Sequence, residues 1–232
     1  MPFPSHSKDT RAVLLNVAEK LFLARGYEHV RVRDITDTAR VNVAAVNYHF
    51  DSKDNLYRAV LRRRFRDIAR RRIEHIDQVL VRSGSAPVLA DVIAAYVRSF
   101  FDDAAVSADN RRHLALVYRE MSPDAVAPDL VASELATPIN RSLRQAILLA
   151  CPKVSESYAA FCASSVTGQV LHLIFMREIF RSLVKPASDQ EYIEFIIRHI
   201  TAFSLHGICS DDREPALSGG KTDQTDPCRE ND

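Results

Sequence analysis

The segment Val43-Ala44-Ala45-Val46-Asn47-Tyr48-His49-Phe50 is the part of this 232-residue chain whose residue types and spacing point most directly to chemistry. Val43, Ala44 and Ala45 are small. A helix that begins with them has a narrow leading end, able to approach a surface closely and to lay methyl groups against the methyl of thymine. Val46 and Phe50 are four apart and so share one face, which would turn towards a core. That leaves Asn47, Tyr48 and His49 to present polar groups outward. Arg31 and Arg33 stand at the start of the preceding short helix, where contacts to a nucleic-acid backbone or base edge are made. Lys53, in the first turn of the next helix, can hold a phosphate alongside backbone N–H groups. Plainer readings stand beside these. Tyr48 also fits a packing residue with its hydroxyl in solvent, and His49 a helix-end cap favoured by the helix dipole.

The elements that must position these residues are helical. Leu14, Val17, Ala18, Leu21 and Phe22 recur at three- and four-residue steps over 10–25, one apolar stripe. Gly26 follows as a left-handed stop. Short helices are expected over 33–39 and over 43–49, the second with Asn42 as N-cap. Arg40-Val41-Asn42 between them gives the pair the size of a helix-turn-helix. Ser52 precedes a longer helix with Leu56, Tyr57, Val60 and Leu61 on one face. Beyond Ser83-Gly84-Ser85 lie longer helical stretches, about 88–102, 110–121, 126–150, 155–184 and 189–206. Ser122-Pro123, Pro152 and Lys185-Pro186 separate them, and Pro138 should kink or split the third. The fold class expected is all-α, a three-helix helix-turn-helix head followed by a larger helical body. The units expected are a disordered N-terminus over 1–9, the head over 10–61, the body over 62–206 and a disordered acidic tail over 207–232.

Charge follows the same division. Residues 1–72 hold 16 Lys+Arg and 8 Asp+Glu, a net +8; residues 73–207 hold 12 and 15, a net −3; residues 208–232 hold 3 and 7, a net −4. A basic head on a mildly acidic body suggests a polyanionic partner for the head. The runs Arg62-Arg63-Arg64 and Arg70-Arg71-Arg72 read as a solvated helix face that raises the local potential. The composition, 47% hydrophobic and 26% charged with only 6 Gly, is that of a globular protein and leaves little room for phosphate-cradling glycine loops. No apolar run near the span of a membrane and no signal-peptide core is evident, which leads to the expectation of a cytoplasmic protein without a membrane partner. The four cysteines lie far apart without metal spacing and read as free thiols. No GxSxG, HExxH, phosphate loop or dinucleotide fingerprint is present, so neither an enzyme, a metal site nor a cofactor is expected.

The stretch Thr10 to Leu61 resembles the DNA-binding head of the TetR-family transcriptional regulators. The residues that carry the likeness are Ala24-Arg25-Gly26-Tyr27, Val32-Arg33-Asp34-Ile35, Ala39-Arg40-Val41-Asn42, Val46-Asn47-Tyr48-His49-Phe50 and Ser52-Lys53-Asp54-Asn55-Leu56. In the body, Tyr118-Arg119-Glu120-Met121-Ser122-Pro123 is similar to the subgroup whose namesake governs sensitivity to cefoperazone and chloramphenicol. The chain departs from the family's usual pattern at Arg40, where Gly is common, at Val30 and Arg31, where Ser or Thr is common, and at Ala44 and Ala45, where Gly or Pro and then Thr are common. Arg40 implies either a turn that does not need positive φ or one that bears some strain. The resemblance implies base reading by Arg33, Val43, Ala44, Ala45 and Asn47, and phosphate contacts from Arg31, Tyr48, His49 and Lys53.

It further implies a homodimer on a pseudo-palindromic operator, most simply a repressor, with a small-molecule effector bound in the body. The helix that starts at Lys53 would be the lever between them. The expected dimer surface is Tyr158, Phe161, Val166, Val170, Tyr192, Phe195, Ile196, Ile200 and Phe203, although the same residues also fit a thick core. The expected effector contacts are His113, Tyr118, Arg119, Gln169, His172, Phe175 and Met176. Arg119 and Glu120 fit an internal ion pair equally well. The competing reading is a helical scaffold that binds protein partners and no DNA.

Overall fold

The computed structural model describes residues 6–84, 86–101, 116–122 and 125–208, and every regular element among them is helical. Helix α1 (His6–Arg25) buries Leu14, Ala18 and Phe22 and ends at Gly26, whose φ of 81° is the left-handed stop. It begins inside the stretch 1–9 expected to be disordered; Asp9 in its first turn suits the positive end of the helix dipole. Helices α2 (Val32–Ala39) and α3 (Ala44–Phe50) follow, burying Ile35 and Thr36, and Val46 and Phe50.

Helix α4 (Lys53–Ser83) is 31 residues long, about 46 Å at 1.5 Å per residue. Ser52 caps it, its Oγ accepting from the Asn55 N–H at 3.1 Å. It crosses the expected head–body boundary at Leu61 and Arg62 without a break. Its apolar stripe packs on α1 and α3 in the head, then on the body helices.

The body comprises α5 (Leu89–Arg98), α6, α7 (Glu156–Phe175), α8 (Arg177–Val184) and α9 (Asp189–Ile208). Helix α6 is the continuous run Pro128–Leu130, Val131–Ala136 and Thr137–Ala150, of which the middle part is π-helical. Pro138 stands where the π-helical part ends and the regular helix Thr137–Ala150 begins, so the run changes type at the proline without a gap. Proline has no N–H to give its own turn, and the preceding turn is wound wider, with Thr137 N–H bonded to Ala132 O, five residues back. Helix α6 packs on α4, α5 and α7, and α9 on α5 and α7.

Three expectations need correction. The stretch 155–184 is two helices, broken at Met176, where φ −90° and ψ 18° leave the helical region. One helix, α7, is long and apolar enough by length and composition to cross a membrane, contrary to the reading of the sequence. It lies in the bundle with Ala159, Cys162, Ala163, Val166 and Val170 buried. Finally, Val166, Val170, Tyr192, Ile196 and Ile200 belong to the protomer's own core, not to an outer surface. Helices α7 and α9 each carry two apolar faces, and these five residues are on the inner one. Burial pushes the Cys162 thiol pKa up. The expected helix 110–121 is described only from 116, and His113, Cys209, Cys228 and residues 209–232 of the expected tail lie outside the described residues.

Candidate nucleic-acid interface and its link to the body

Helix α3 is pinned by Val46 and Phe50 and shows its remaining side chains to solvent. Val43, Ala44, Asn47 and Tyr48 are exposed, Tyr48 at 79%, while Ala45 and His49 are half-buried. Its start is set by Asn42, whose Oδ1 accepts from the Ala44 N–H at 2.8 Å. The turn before it is formed by Arg40 in the left-handed conformation, φ 56° and ψ 43°, with Val41 N–H closing on Thr36 O at 3.0 Å. Of the two readings of Arg40, the strained one holds.

Helix α2 starts without a hydroxyl cap. A guanidinium cannot accept a hydrogen bond. Instead the Asp34 carboxylate accepts from the Arg31 backbone N–H at 2.8 Å, which leaves the Arg31 side chain exposed. Arg33 is exposed too. Lys53 is half-buried, its ammonium 4.0 Å from the centroid of the Tyr27 ring, so its direction is set by a cation–π contact.

Six further cations of α4 are committed to carboxylates. Arg58 pairs with Asp129 at 2.5 Å, Arg62 and Arg66 with Glu134 at 3.1 and 2.6 Å, and Arg63 and Arg64 with Glu19. Arg70 lies within 3.4 Å of Asp67 and 3.5 Å of Glu74. The first run read as a solvated face, Arg62-Arg63-Arg64, is thus part of a strap joining α4 to α1 and to the start of α6. In the second run Arg70 is exposed and pairs only within α4, and Arg72 lies with its Cζ 3.7 Å from the Phe100 ring centroid. The Arg66 hydrogen bond holds the Glu134 carboxyl below the usual carboxylate range, and the Arg58 hydrogen bond does the same for Asp129.

Sequence reasoning missed a buried latch between head and body. Tyr57 donates from its hydroxyl to Glu120 Oε1 at 2.6 Å, and the other Glu120 oxygen accepts from the Ala127 N–H at 2.9 Å. Arg119 donates to the Tyr57 oxygen and lies 3.4 Å from Glu120. Glu120 is 1% exposed. Desolvation first, and then Glu120, raise the Tyr57 pKa well above that of an ordinary phenol, so it stays a donor. The Tyr57 ring touches Phe22 at 5.0 Å and Tyr27 at 4.7 Å, and Tyr27 donates to Asp54. A chain of contacts therefore runs from Glu120 through Tyr57 and Tyr27 to Lys53. The Tyr57 register on the α4 stripe and the reading of Arg119 and Glu120 as an internal ion pair were the available signals; that the two meet, 63 residues apart, was not legible.

The expected effector contacts are scattered. Tyr118, His172, Phe175 and Met176 are exposed, with Tyr118 and Phe175 in ring contact at 5.1 Å. Gln169 is half-buried, and Arg119 is taken by the latch. The break at Met176 is what leaves Phe175 and Met176 at the surface. Of the expected dimer residues, Phe161, Phe195 and Phe203 are exposed, and Tyr158 is half-buried, donating to Gly207 O at 3.0 Å. Among the described residues no three His, Cys, Asp or Glu cluster as a metal site would require.

Comparison with known proteins bears on both units. Residues 14–60 match the model for bacterial regulatory proteins of the tetR family. Residues 89–208, about half of the chain, match the model for the C-terminal domain of the HTH-type transcriptional dual regulator CecR. The HTH-type transcriptional repressor KstR2 of Rhodococcus jostii is 40% identical over 52 residues, 22% of this chain and 26% of that protein. The likeness to it therefore spans about a quarter of its length. Among solved structures, the hemolysin II transcriptional regulator HlyIIR aligns with TM-score 0.56 at 20% identity, over 84% of this chain and 98% of that one. A Saccharomonospora viridis protein solved in complex with choline aligns with TM-score 0.59 at 17% identity, over 86% and 97%. Reduced NemR of E. coli aligns with TM-score 0.55 at 20% identity, over 83% and 95%. At these identities the structural likeness speaks for the fold.

Proposed function

Because this chain belongs to the TetR family of bacterial transcriptional regulators and carries a CecR-type C-terminal domain, we propose that it is a repressor that binds a pseudo-palindromic operator as a homodimer and leaves it when a small molecule binds the body. The observation that carries the reading is α3. Two apolar side chains fix it to the head, while its small leading residues and Asn47 and Tyr48 are left to solvent. That is the form of a helix that enters a major groove by its N-terminal end.

In this reading Arg33, Val43, Ala44, Ala45 and Asn47 meet base edges. Arg31, Tyr48, His49 and Lys53 hold phosphates. One seven-residue helix gives few base contacts, so specificity comes from two half-sites, about 34–36 Å apart or a multiple of that. The partner protomer would cover the outer apolar faces of α7, α8 and α9, where Phe161, Ile179, Leu183, Phe195 and Phe203 are exposed. Phe195, His199 and Phe203 form an aromatic row at four-residue steps, with centroid distances of 6.1 and 6.2 Å. An effector would shift the population towards a spacing that no longer fits, a coupling of about 1–3 kcal/mol. The protein would act in the cytoplasm, where the chromosome lies.

The test is a gel shift of the chain's own upstream region at moderate salt. Lys53→Ala should weaken binding to every duplex and lower the salt slope by about one. Asn47→Ala should relax preference at one base pair only. Binding untouched by both changes would contradict the docking.

A further inference from the structure

Helix α4 opens with Lys53 and Asp54, and one side chain from outside the helix holds both. Tyr27 follows Gly26, whose left-handed φ of 81° ends α1. The Lys53 ammonium lies 4.0 Å from the centroid of the Tyr27 ring, and the Tyr27 hydroxyl donates to Asp54 Oδ1. Adjacent residues on a helix do not face each other. Here a single phenol receives the first by its ring face and engages the second by its oxygen.

The ring that does this is itself fixed. Its centroid lies 4.7 Å from that of Tyr57 and 6.0 Å from that of Phe22, and both of those side chains are buried. Tyr57 is tied in turn to Glu120. Tyr27 and Lys53 are each half-buried, so the ammonium has the ring on one side and still reaches solvent on the other.

The electronic state of the ring favours the contact. The face of an aromatic ring is its negative side. A phenol that donates to a carboxylate gathers more of that charge on its ring. Burial first, and then the Asp54 hydrogen bond, raise the Tyr27 pKa well above that of an ordinary phenol, so the hydroxyl keeps its proton and remains a donor. The consequence for DNA follows from the nature of lysine. Its charge rides on a flexible four-carbon stem, and ordering such a stem on binding weakens affinity. Held over Tyr27, the ammonium of Lys53 is already at the head of α4 before a phosphate arrives.

We propose that Tyr27 is a positioning residue for DNA binding, its ring face preorganising the Lys53 ammonium for a phosphate at the start of α4. The proposal rests on the reading of Lys53 as a phosphate contact given above. The test uses the full chain. Tyr27→Phe is compared with pentafluorophenylalanine at position 27, a ring of nearly the same shape whose face is positive. Neither carries a hydroxyl, so the two differ in the ring face. Binding to a duplex from the chain's own upstream region is titrated over a range of salt. The ε-methylene protons of Lys53 are followed by NMR without DNA.

In the wild type those protons should lie upfield of their unfolded position, shifted by the ring current, and Tyr27→Phe should keep the shift. The fluorinated ring should lose it and bind the duplex about two- to fivefold more weakly per head than Tyr27→Phe. Its salt slope should stay within about half a unit of that variant's, because the charge is still present. Lys53→Ala should lower the slope and abolish the difference between the two rings. No upfield shift in the wild type, equal affinity of the two ring variants, or a difference that persists with Lys53→Ala would overturn the proposal. So would failure of both ring variants to fold, which would make Tyr27 a structural ring only. Equal ring variants beside a weakened Lys53→Ala strike this proposal alone. Lys53→Ala that binds every duplex as the wild type does strikes the phosphate role of Lys53 as well.

Discussion

At the scale of single residues, Arg40 shows how the sequence and the backbone differ in emphasis. The turn between α2 and α3 needs a left-handed residue, and an L side chain there costs about 1–2 kcal/mol. Part of that returns through the smaller backbone entropy loss compared with glycine. Arg40→Gly should therefore raise protomer stability by about 0.5–1 kcal/mol, read as an increase in the urea midpoint with unchanged slope. An unchanged or lowered midpoint would mean that the exposed guanidinium contributes more than the strain removes. Gly26 was legible because it answers a purely local need, a left-handed stop. Asn42, read as the N-cap of α3, stands one residue before the cap at Val43 and accepts from the Ala44 N–H, and Ser52, read only as preceding α4, proved to be its cap. Arg31 was legible as a missing cap, yet its remedy, the Asp34 carboxylate three residues on, was not assigned. Arg72 was the opposite case. Its register with Ala69 and Ile76 was available in the sequence, but the adjoining Arg70 and Arg71 drew it into a charge run.

At the scale of elements, α4 ties the helix-turn-helix head to the body in two ways, a polar latch and an ionic strap. The latch centres on the buried Glu120 carboxylate, with the Tyr57 hydroxyl and the Ala127 N–H as donors. Tyr57→Phe removes one donor and leaves a buried acceptor short, which should cost about 1–3 kcal/mol. Combined with Glu120→Gln the loss should be less than additive; full additivity in a double-mutant cycle would show that the two groups do not act as a unit. The strap sets the response to acid. Glu134 and Asp129 are held below the ordinary carboxylate range by Arg66 and Arg58. A lowered carboxylate pKa contributes stability that is whole above the unfolded value of about 4 and fades as pH falls through the lower folded one. Tm should therefore hold near neutrality and decline below about pH 4, and Glu134→Gln should flatten that decline. An equal decline in the variant would place the acid sensitivity elsewhere. Element limits were legible where Gly, Pro or a cap marks them. The break at Met176 carries no such mark, since the Met176 N–H still bonds His172 O and only its own torsions leave the helix. Pro138 marks a change of helix type, from π to α, rather than a gap.

At the scale of the whole molecule, the all-α plan and the basic head were legible from periodicity and from the uneven charge. Which apolar face of α7 and α9 turns inward was not, because periodicity identifies a face and not its partner. Ile196 and Ile200 proved to be core, and Phe195 and Phe203 outer surface. Phe203→Glu should accordingly leave the protomer folded by circular dichroism while lowering its association, because the side chain is 64% exposed. Ile200→Ala should instead destabilise the protomer itself by about 2–4 kcal/mol. In the proposed dimer the two heads would act together only if a paired trunk set their distance. The most direct measurement is sedimentation of the purified chain with a duplex carrying the palindrome from its own upstream region, alongside a half-site duplex and a random one. The account predicts two chains per palindrome, far weaker binding to the half-site and to random sequence, and loss of the two-chain complex with Phe203→Glu. A single chain bound with equal affinity to all three duplexes would contradict it.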